Sequence, residues 1–166
     1  MSRLAFFDID GVLSAPGYDV NGEIRIGMSD EDWILYCIRY GKNSYDYCRS
    51  VGAAGDYARK LREEGAELFV LSTSQTSGES DGKRAFVREY FADLFPEENV
   101  YTVARDELKL EVIAAIALLR GVPLKECELV DDTFSLLLKA EGQGIRGTHI
   151  AQVIDIVYNN AISAQP

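Results

Sequence analysis

Phe6-Phe7-Asp8-Ile9-Asp10-Gly11-Val12-Leu13-Ser14 is the stretch around which the chain is organised. The apolar run Leu4-Ala5-Phe6-Phe7 stops abruptly at two acids spaced i, i+2 and followed by glycine, the pattern of a buried strand ending at a polar rim. In extended backbone alternate side chains share a face, so Asp8 and Asp10 can act on one bound group. Gly11 lets the chain turn away without a side chain in the crevice.

Downstream of this strand the sequence changes character. Residues 14 to 50 are rich in Gly, Tyr and mixed charges without a long apolar period, and they read as an insertion. Within it, Ser29-Asp30-Glu31-Asp32 resembles a helix start, and Trp33, Ile34, Cys37 and Ile38 give an apolar stripe, so a short helix is expected over about 30 to 40. The stretch 53 to 64 reads as an amphipathic helix closed by Gly65. Glu67 to Leu71 is then a second buried strand, ending in Ser72-Thr73-Ser74.

A Gly/Ser loop is expected over 77 to 82, followed by a helix over 85 to 95 that halts before Pro96. Residues 99 to 103 give a third strand. Asp106 can cap a helix running through Leu108, Val112, Ile113, Ile116 and Leu119, and Gly121-Val122-Pro123 stops it. Cys127 to Val130 makes a fourth strand, ending in Asp131-Asp132. A helix over 134 to 140, a fifth strand within 144 to 150 and a last helix over 151 to 161 complete the pattern.

Strands alternating with helices imply an α/β fold, a three-layer doubly wound parallel sheet of Rossmann-like type. In such sheets ligands bind beyond the carboxyl ends of the strands. Three of the five strands end there in Asp-Ile-Asp, Ser-Thr-Ser and Asp-Asp.

The 166 residues are the size of one domain, able to bury roughly two-thirds of the unfolded surface. A net charge of -10 argues against a nucleic-acid polymer or an anionic membrane as partner, so an anionic ligand needs a local cation. The opening apolar stretch is too short for a signal peptide and no segment approaches the ~20 apolar residues of a membrane helix, so a cytoplasmic location is expected. Cys37, Cys48 and Cys127 lack CxxC spacing and read as buried thiols, and the single His149 reads as structural or surface.

Taken together, Phe-Phe-Asp8-Ile-Asp10-Gly-Val, Val-Leu-Ser72-Thr-Ser, Lys109 opening a later helix, and Leu-Val-Asp131-Asp132-Thr resemble, in order, the four motifs of haloacid dehalogenase-like hydrolases. The resemblance covers essentially the whole chain except 14 to 50, which stands where the small-cap phosphatase branch carries its cap. It implies that Asp8 attacks phosphorus to form an aspartyl-phosphate, which water then hydrolyses. Asp10 would protonate the leaving oxygen and later deprotonate the water. Dehalogenating members lack an aspartate at that second position, so Asp10 favours phosphoryl chemistry.

Two carboxylates beside a phosphate dianion repel it, so a divalent cation is required, and oxygen ligands favour Mg2+. Asp8, the backbone carbonyl of Asp10, and Asp132 are the expected ligands, with Asp131 behind Asp132 or exchanging roles with it; sequence does not separate the two. The Ser72 hydroxyl and the Thr73 amide are expected to hold phosphate oxygens. Lys109 sits in the first turn of its helix, where the dipole disfavours a cation, and an anion facing it would resolve the conflict. Lys83 and Arg84 compete for that role.

Tyr18, Trp33, Tyr36, Tyr40, Tyr45 and Tyr47, with Arg25, Arg39, Lys42 and Arg49, give the insertion a mixture able to stack a base or sugar, or simply its own core. The expected substrate is a small phosphorylated metabolite, a nucleoside monophosphate or a sugar phosphate. A phosphoprotein phosphatase and a non-catalytic phosphate-binding module are the alternatives.

Overall fold

Leu4 to Phe7 sit at the centre of a sheet because both of its faces are covered, so a continuous apolar run costs nothing in exposure. A computed structural model describes residues 3–163. Strand β1 (Arg3–Phe7) leads into an inserted region built from β2 (Ser14–Ala15), β3 (Tyr18–Val20), β4 (Glu23–Arg25), helix α1 (Asp30–Tyr40) and β5 (Arg49–Ser50). Then follow α2 (Gly52–Glu63), β6 (Ala66–Thr73), α3 (Ser77–Phe91), β7 (Val100–Val103), α4 (Glu107–Arg120), β8 (Cys127–Asp131), α5 (Phe134–Gly142), β9 (Arg146–His149) and α6 (Ile150–Ser163).

The main sheet runs β7-β6-β1-β8-β9 with every pair parallel, the doubly wound architecture the sequence predicts. Alternation along the strands sorts the core into two layers. Ala5, Phe7, Val70 and Val130 face α2, α3 and α6, whereas Leu4, Phe6, Phe69, Leu71 and Leu129 face α4 and α5. The Phe6 ring stacks on Phe69 at 4.9 Å, and Phe7 meets Phe95 edge-on at 5.5 Å. β1 and β8 are hydrogen-bonded neighbours, which brings the Asp8-Ile9-Asp10 and Asp131-Asp132 ends together.

Two local expectations are corrected. The Gly/Ser stretch 77 to 82 is helix, not loop: α3 begins at Ser77 and ends at Phe91, short of the residue before Pro96. A capping box starts it, with Thr76 Oγ1 accepting from the Glu79 amide at 3.1 Å and the Glu79 carboxylate accepting from the Gln75 amide at 2.8 Å. Asp106, expected to cap α4, makes no side-chain cap bond and turns its carboxylate to Lys109 Nζ at 3.3 Å.

The region 14 to 50 is tied at its base by the antiparallel β2–β5 pair, Ser14 opposite Ser50. Asn21 and Gly22, both at positive φ, turn the β3–β4 hairpin. Tyr18, Trp33, Tyr36, Tyr40 and Tyr45 pack on one another with ring centroids 4.5 to 6.5 Å apart, so these rings form the region's core and are not splayed out to stack a base. Tyr47 alone of the six is exposed, at 42%.

Glycines let this region lie directly on α3. A Cβ on Gly78 would overlap the Cys37 carbonyl oxygen, and one on Gly82 would come within 2.9 Å of the Tyr45 ring and collide with Ser44 Oγ. Gly78→Ala gains up to ~1 kcal/mol of helix propensity. The collision is with backbone, which cannot rotate away, so a net loss of about 1–3 kcal/mol is expected in urea unfolding.

Candidate active site

Asp8 follows β1 directly, and its amide still donates to the Val130 carbonyl at 3.0 Å, which fixes its height at the sheet's rim. The chain then folds back on itself. Val12 and Ser14 amides both donate to the Ile9 carbonyl, and Gly11 adopts a φ of 74°. A side chain on Gly11 would strike the Asp132 carboxylate, so glycine here keeps β1's loop against β8's end.

Asp8 Oδ1 accepts from the Ile9 amide at 2.8 Å, and Oδ2 pairs with Lys109 Nζ at 3.1 Å. The same ammonium reaches Asp131 Oδ2 at 2.9 Å. Lys109 is therefore a buried cation at the first turn of α4, surrounded by carboxylates as its unfavourable helix position predicts. Burial pulls its ammonium down, but Asp8 and Asp131 outweigh that and hold it above its ordinary value.

Asp131 and Asp132, alike in sequence, differ in structure. Asp131 is fully buried with both oxygens engaged, Oδ1 by the Thr133 amide at 2.8 Å and Oδ2 by Lys109. Asp132 is exposed, and among the described residues the only side-chain partner of its carboxylate is the Thr133 hydroxyl, a long 3.4 Å from Oδ1. Oxygens of Asp8, Asp131 and Asp132 lie within 4.8 Å of one another, all hard carboxylate donors of the kind a small divalent cation takes. Burial, then Asp131, raises the Asp132 carboxyl above its usual range, which a cation would reverse.

Asp10 lies beside this cluster with different partners. Its Oδ2 pairs with Lys83 Nζ at 2.8 Å and its Oδ1 accepts from the Tyr45 hydroxyl at 2.8 Å. Lys83 is fully buried and also donates to Ser72 Oγ at 3.1 Å, to the Thr73 carbonyl, and to Glu79 at 3.0 Å. Its three protons face four acceptors. Ser72 is buried and touches Asp8 as well, so its hydroxyl is already committed within the site. Arg84, the other competing cation, makes no ion pair in this cluster among the described residues.

Sequence reasoning did not find Glu79 or the role of Tyr45. Glu79 had a readable signal in Thr76-x-x-Glu79, a capping box hidden by the neighbouring glycines. Tyr45 had none. His149 hydrogen-bonds the Asp132 carbonyl through Nε2 at 3.1 Å while Nδ1 accepts from the Ala151 amide, so it supports the rim from behind, in keeping with a structural role.

Burial, opposed by Lys109 and reinforced by Asp131 and Asp10, pushes the Asp8 carboxyl from 3.8 up to about 6. Its folded pKa thus exceeds its unfolded one. Between those values the folded chain holds the proton and the unfolded chain does not, so this group's contribution to stability falls as pH rises through that window. Asp8→Asn cannot ionise. The metal-free variant is expected to gain more than about 1 kcal/mol on wild type between pH 5 and pH 8 in urea unfolding.

No family model and no curated protein matches this sequence. Solved structures do. An enzyme of the HAD (haloacid dehalogenase) family from Bacteroides thetaiotaomicron, a magnesium complex, superposes with a TM-score of 0.52 at 15% identity, over 89% of this chain and 92% of its own. A phospho-aspartyl intermediate analogue of phosphoserine phosphatase superposes with a TM-score of 0.56 at 13% identity, over 87% and 85%. This chain has the haloacid dehalogenase-like fold. The 3-deoxy-D-manno-octulosonate 8-phosphate phosphatase of Moraxella catarrhalis, solved with magnesium, phosphate and its sugar, shares the fold at a TM-score of 0.50 and 17% identity, over 86% of this chain and 64% of its own. On the haloacid dehalogenase-like frame, the cluster of Asp8, Asp10, Lys109, Asp131 and Asp132 stands at the carboxyl rim of the sheet, where α/β folds hold their ligands.

Proposed function

We propose that this chain is a Mg2+-dependent phosphomonoester hydrolase acting on a small phosphorylated metabolite through a phosphorylated Asp8. The observation that carries it is the pair of carboxylates Asp8 and Asp10 on one rim with unlike surroundings: Asp8 beside Lys109 and the acidic cluster, Asp10 between Lys83 and Tyr45. Two groups of one chemical type in two environments are what a nucleophile and its acid/base partner need.

Ile9's amide and Lys109 fix the Asp8 carboxylate in rotation, so attack on phosphorus starts from an oriented oxygen. Asp10 gives its proton to the leaving oxygen as the P–O bond breaks. Water then attacks the phosphorylated Asp8, its proton returns to Asp10, and inorganic phosphate departs. Mg2+ held by Asp8, Asp132 and the Asp10 carbonyl would neutralise phosphate charge. Asp132 is the direct ligand in this reading because its carboxylate is open, whereas Asp131 is saturated and serves to hold Lys109. Ser72 and Thr73 flank the phosphate from β6.

Residues 14 to 50 act as a small cap whose packed core walls one side of the site. Because its aromatic rings are spent on each other, the phosphate end of the substrate supplies most of the recognition, which fits compact sugar phosphates and nucleoside monophosphates alike. Phosphate release from a panel of such esters is expected with Mg2+ and is expected to vanish in excess EDTA. No release from any ester with Mg2+ present rejects the assignment.

A further inference from the structure

Asp10 is held at both oxygens by groups of different hydrogen-bonding character. Lys83 is an ammonium and can only donate, whereas the Tyr45 hydroxyl can donate or accept. Glu79 holds Lys83 from α3 at 3.0 Å, so the cation is anchored to the core independently of Asp10. Tyr45 comes from the other side, out of the 14 to 50 region, and is 2% exposed with its ring locked among Tyr18, Trp33 and Phe86. Gly82 permits that ring to lie against α3. The Asp10 side chain itself remains 43% exposed, so the clamp leaves a face of the carboxyl open to the site.

Resting on the phosphatase reading above, we propose that Tyr45 is a positioning residue: opposite Lys83, its hydroxyl fixes the rotation of the Asp10 carboxyl and so aims it at the leaving oxygen. The Tyr45 hydroxyl donates to Oδ1 and Lys83 donates to Oδ2, so the carboxyl is held from both sides against rotation about its own bond. In the first step the Asp8–phosphorus bond forms, the bond to the leaving oxygen breaks, and the Asp10 proton moves to that oxygen. In the second step water supplies the proton that returns to Asp10. Because Tyr45 belongs to the inserted region, the placement of that region on α3 becomes a condition for proton transfer at β1.

The test is Tyr45→Phe, which removes one oxygen and keeps the packed ring. Lys83→Met would strand Glu79 and Asp10 in or near the core and puts folding at risk, so it is not needed. The readout is kcat/KM, which reports phosphorylation of Asp8 and not the later hydrolysis, compared between p-nitrophenyl phosphate and the best alkyl phosphate found for wild type. An aryl oxide leaves with little help from an acid; an alkoxide requires the proton. The variant is expected to lose about tenfold or more on the alkyl ester and about threefold or less on the aryl ester. Equal losses on the two esters, the mark of a merely structural role, or no loss on the alkyl ester, overturn the proposal and leave the phosphatase reading standing. Wild type that hydrolyses neither ester with Mg2+ overturns that reading and this inference with it.

Discussion

Asp8→Asn is expected to abolish phosphate release, by about 10³-fold or more in kcat, while leaving a folded protein that is more stable than wild type at pH 8 in the absence of metal. The two halves of this expectation have one cause. The Asp8 carboxylate is buried at the end of β1, and ionising it there is costly enough to move its pKa to about 6. Buried carboxyls with shifted pKa values cluster at functional sites. Asparagine preserves the acceptor for the Ile9 amide and removes the nucleophilic oxygen. Phosphate release by kinetics and urea unfolding at pH 8 measure the two halves. A variant that loses stability together with activity would place Asp8 among the groups that hold the fold, not among those that react.

Lys109→Met is the second change with a large expected effect. The ammonium meets Asp8, Asp131 and Asp106 at 3.1, 2.9 and 3.3 Å, and two of those three carboxylates are buried. Removing the cation leaves uncompensated charge in the core, which typically costs about 3–5 kcal/mol. In EDTA the variant is therefore expected to unfold at far lower urea than wild type. A divalent cation at the same cluster supplies part of the lost neutralisation, so added Mg2+ is expected to stabilise the variant more than it stabilises wild type, each protein gaining by mass action at its own Kd: about 2.7 kcal/mol at a hundred times Kd. Equal Mg2+ effects on the two proteins would mean that Lys109 and the metal do not share carboxylates. Activity is expected to be lost in either case, because nothing then holds Asp8 Oδ2 in place.

The parallel doubly wound sheet and the placing of Asp8, Asp131 and Asp132 on one rim were legible because they follow from apolar runs that stop at acids. A doubly wound parallel sheet then leaves few arrangements for five such strands. Lys109 was legible for a different reason: a lysine in the first turn of a helix opposes the dipole, and the buried carboxylates around it resolve that conflict. What could not be read are properties that arise only when elements meet. Asp131 and Asp132 share a composition and a neighbourhood in sequence, and they separate only because one side chain turns under Lys109 while the other turns outward. The start of α3 was obscured because Gly78 and Gly82, poor helix formers, are there for close packing against α1 and the turn after it. Tyr45 was one tyrosine among several in its region until the fold set its hydroxyl on Asp10.

In the proposed reaction, phosphoryl transfer passes through Asp8. Its most direct test is a single-turnover reaction with Mg2+ and a good aryl phosphate, quenched in acid within the burst and digested for mass spectrometry. The peptide spanning Phe6-Phe7-Asp8-Ile9-Asp10 is expected to carry the mass of one phosphoryl group on Asp8, labile to mild base and absent from the Asp8→Asn protein. Release of phosphate with no phosphorylated Asp8 at any quench time, or the label on another residue, would contradict it.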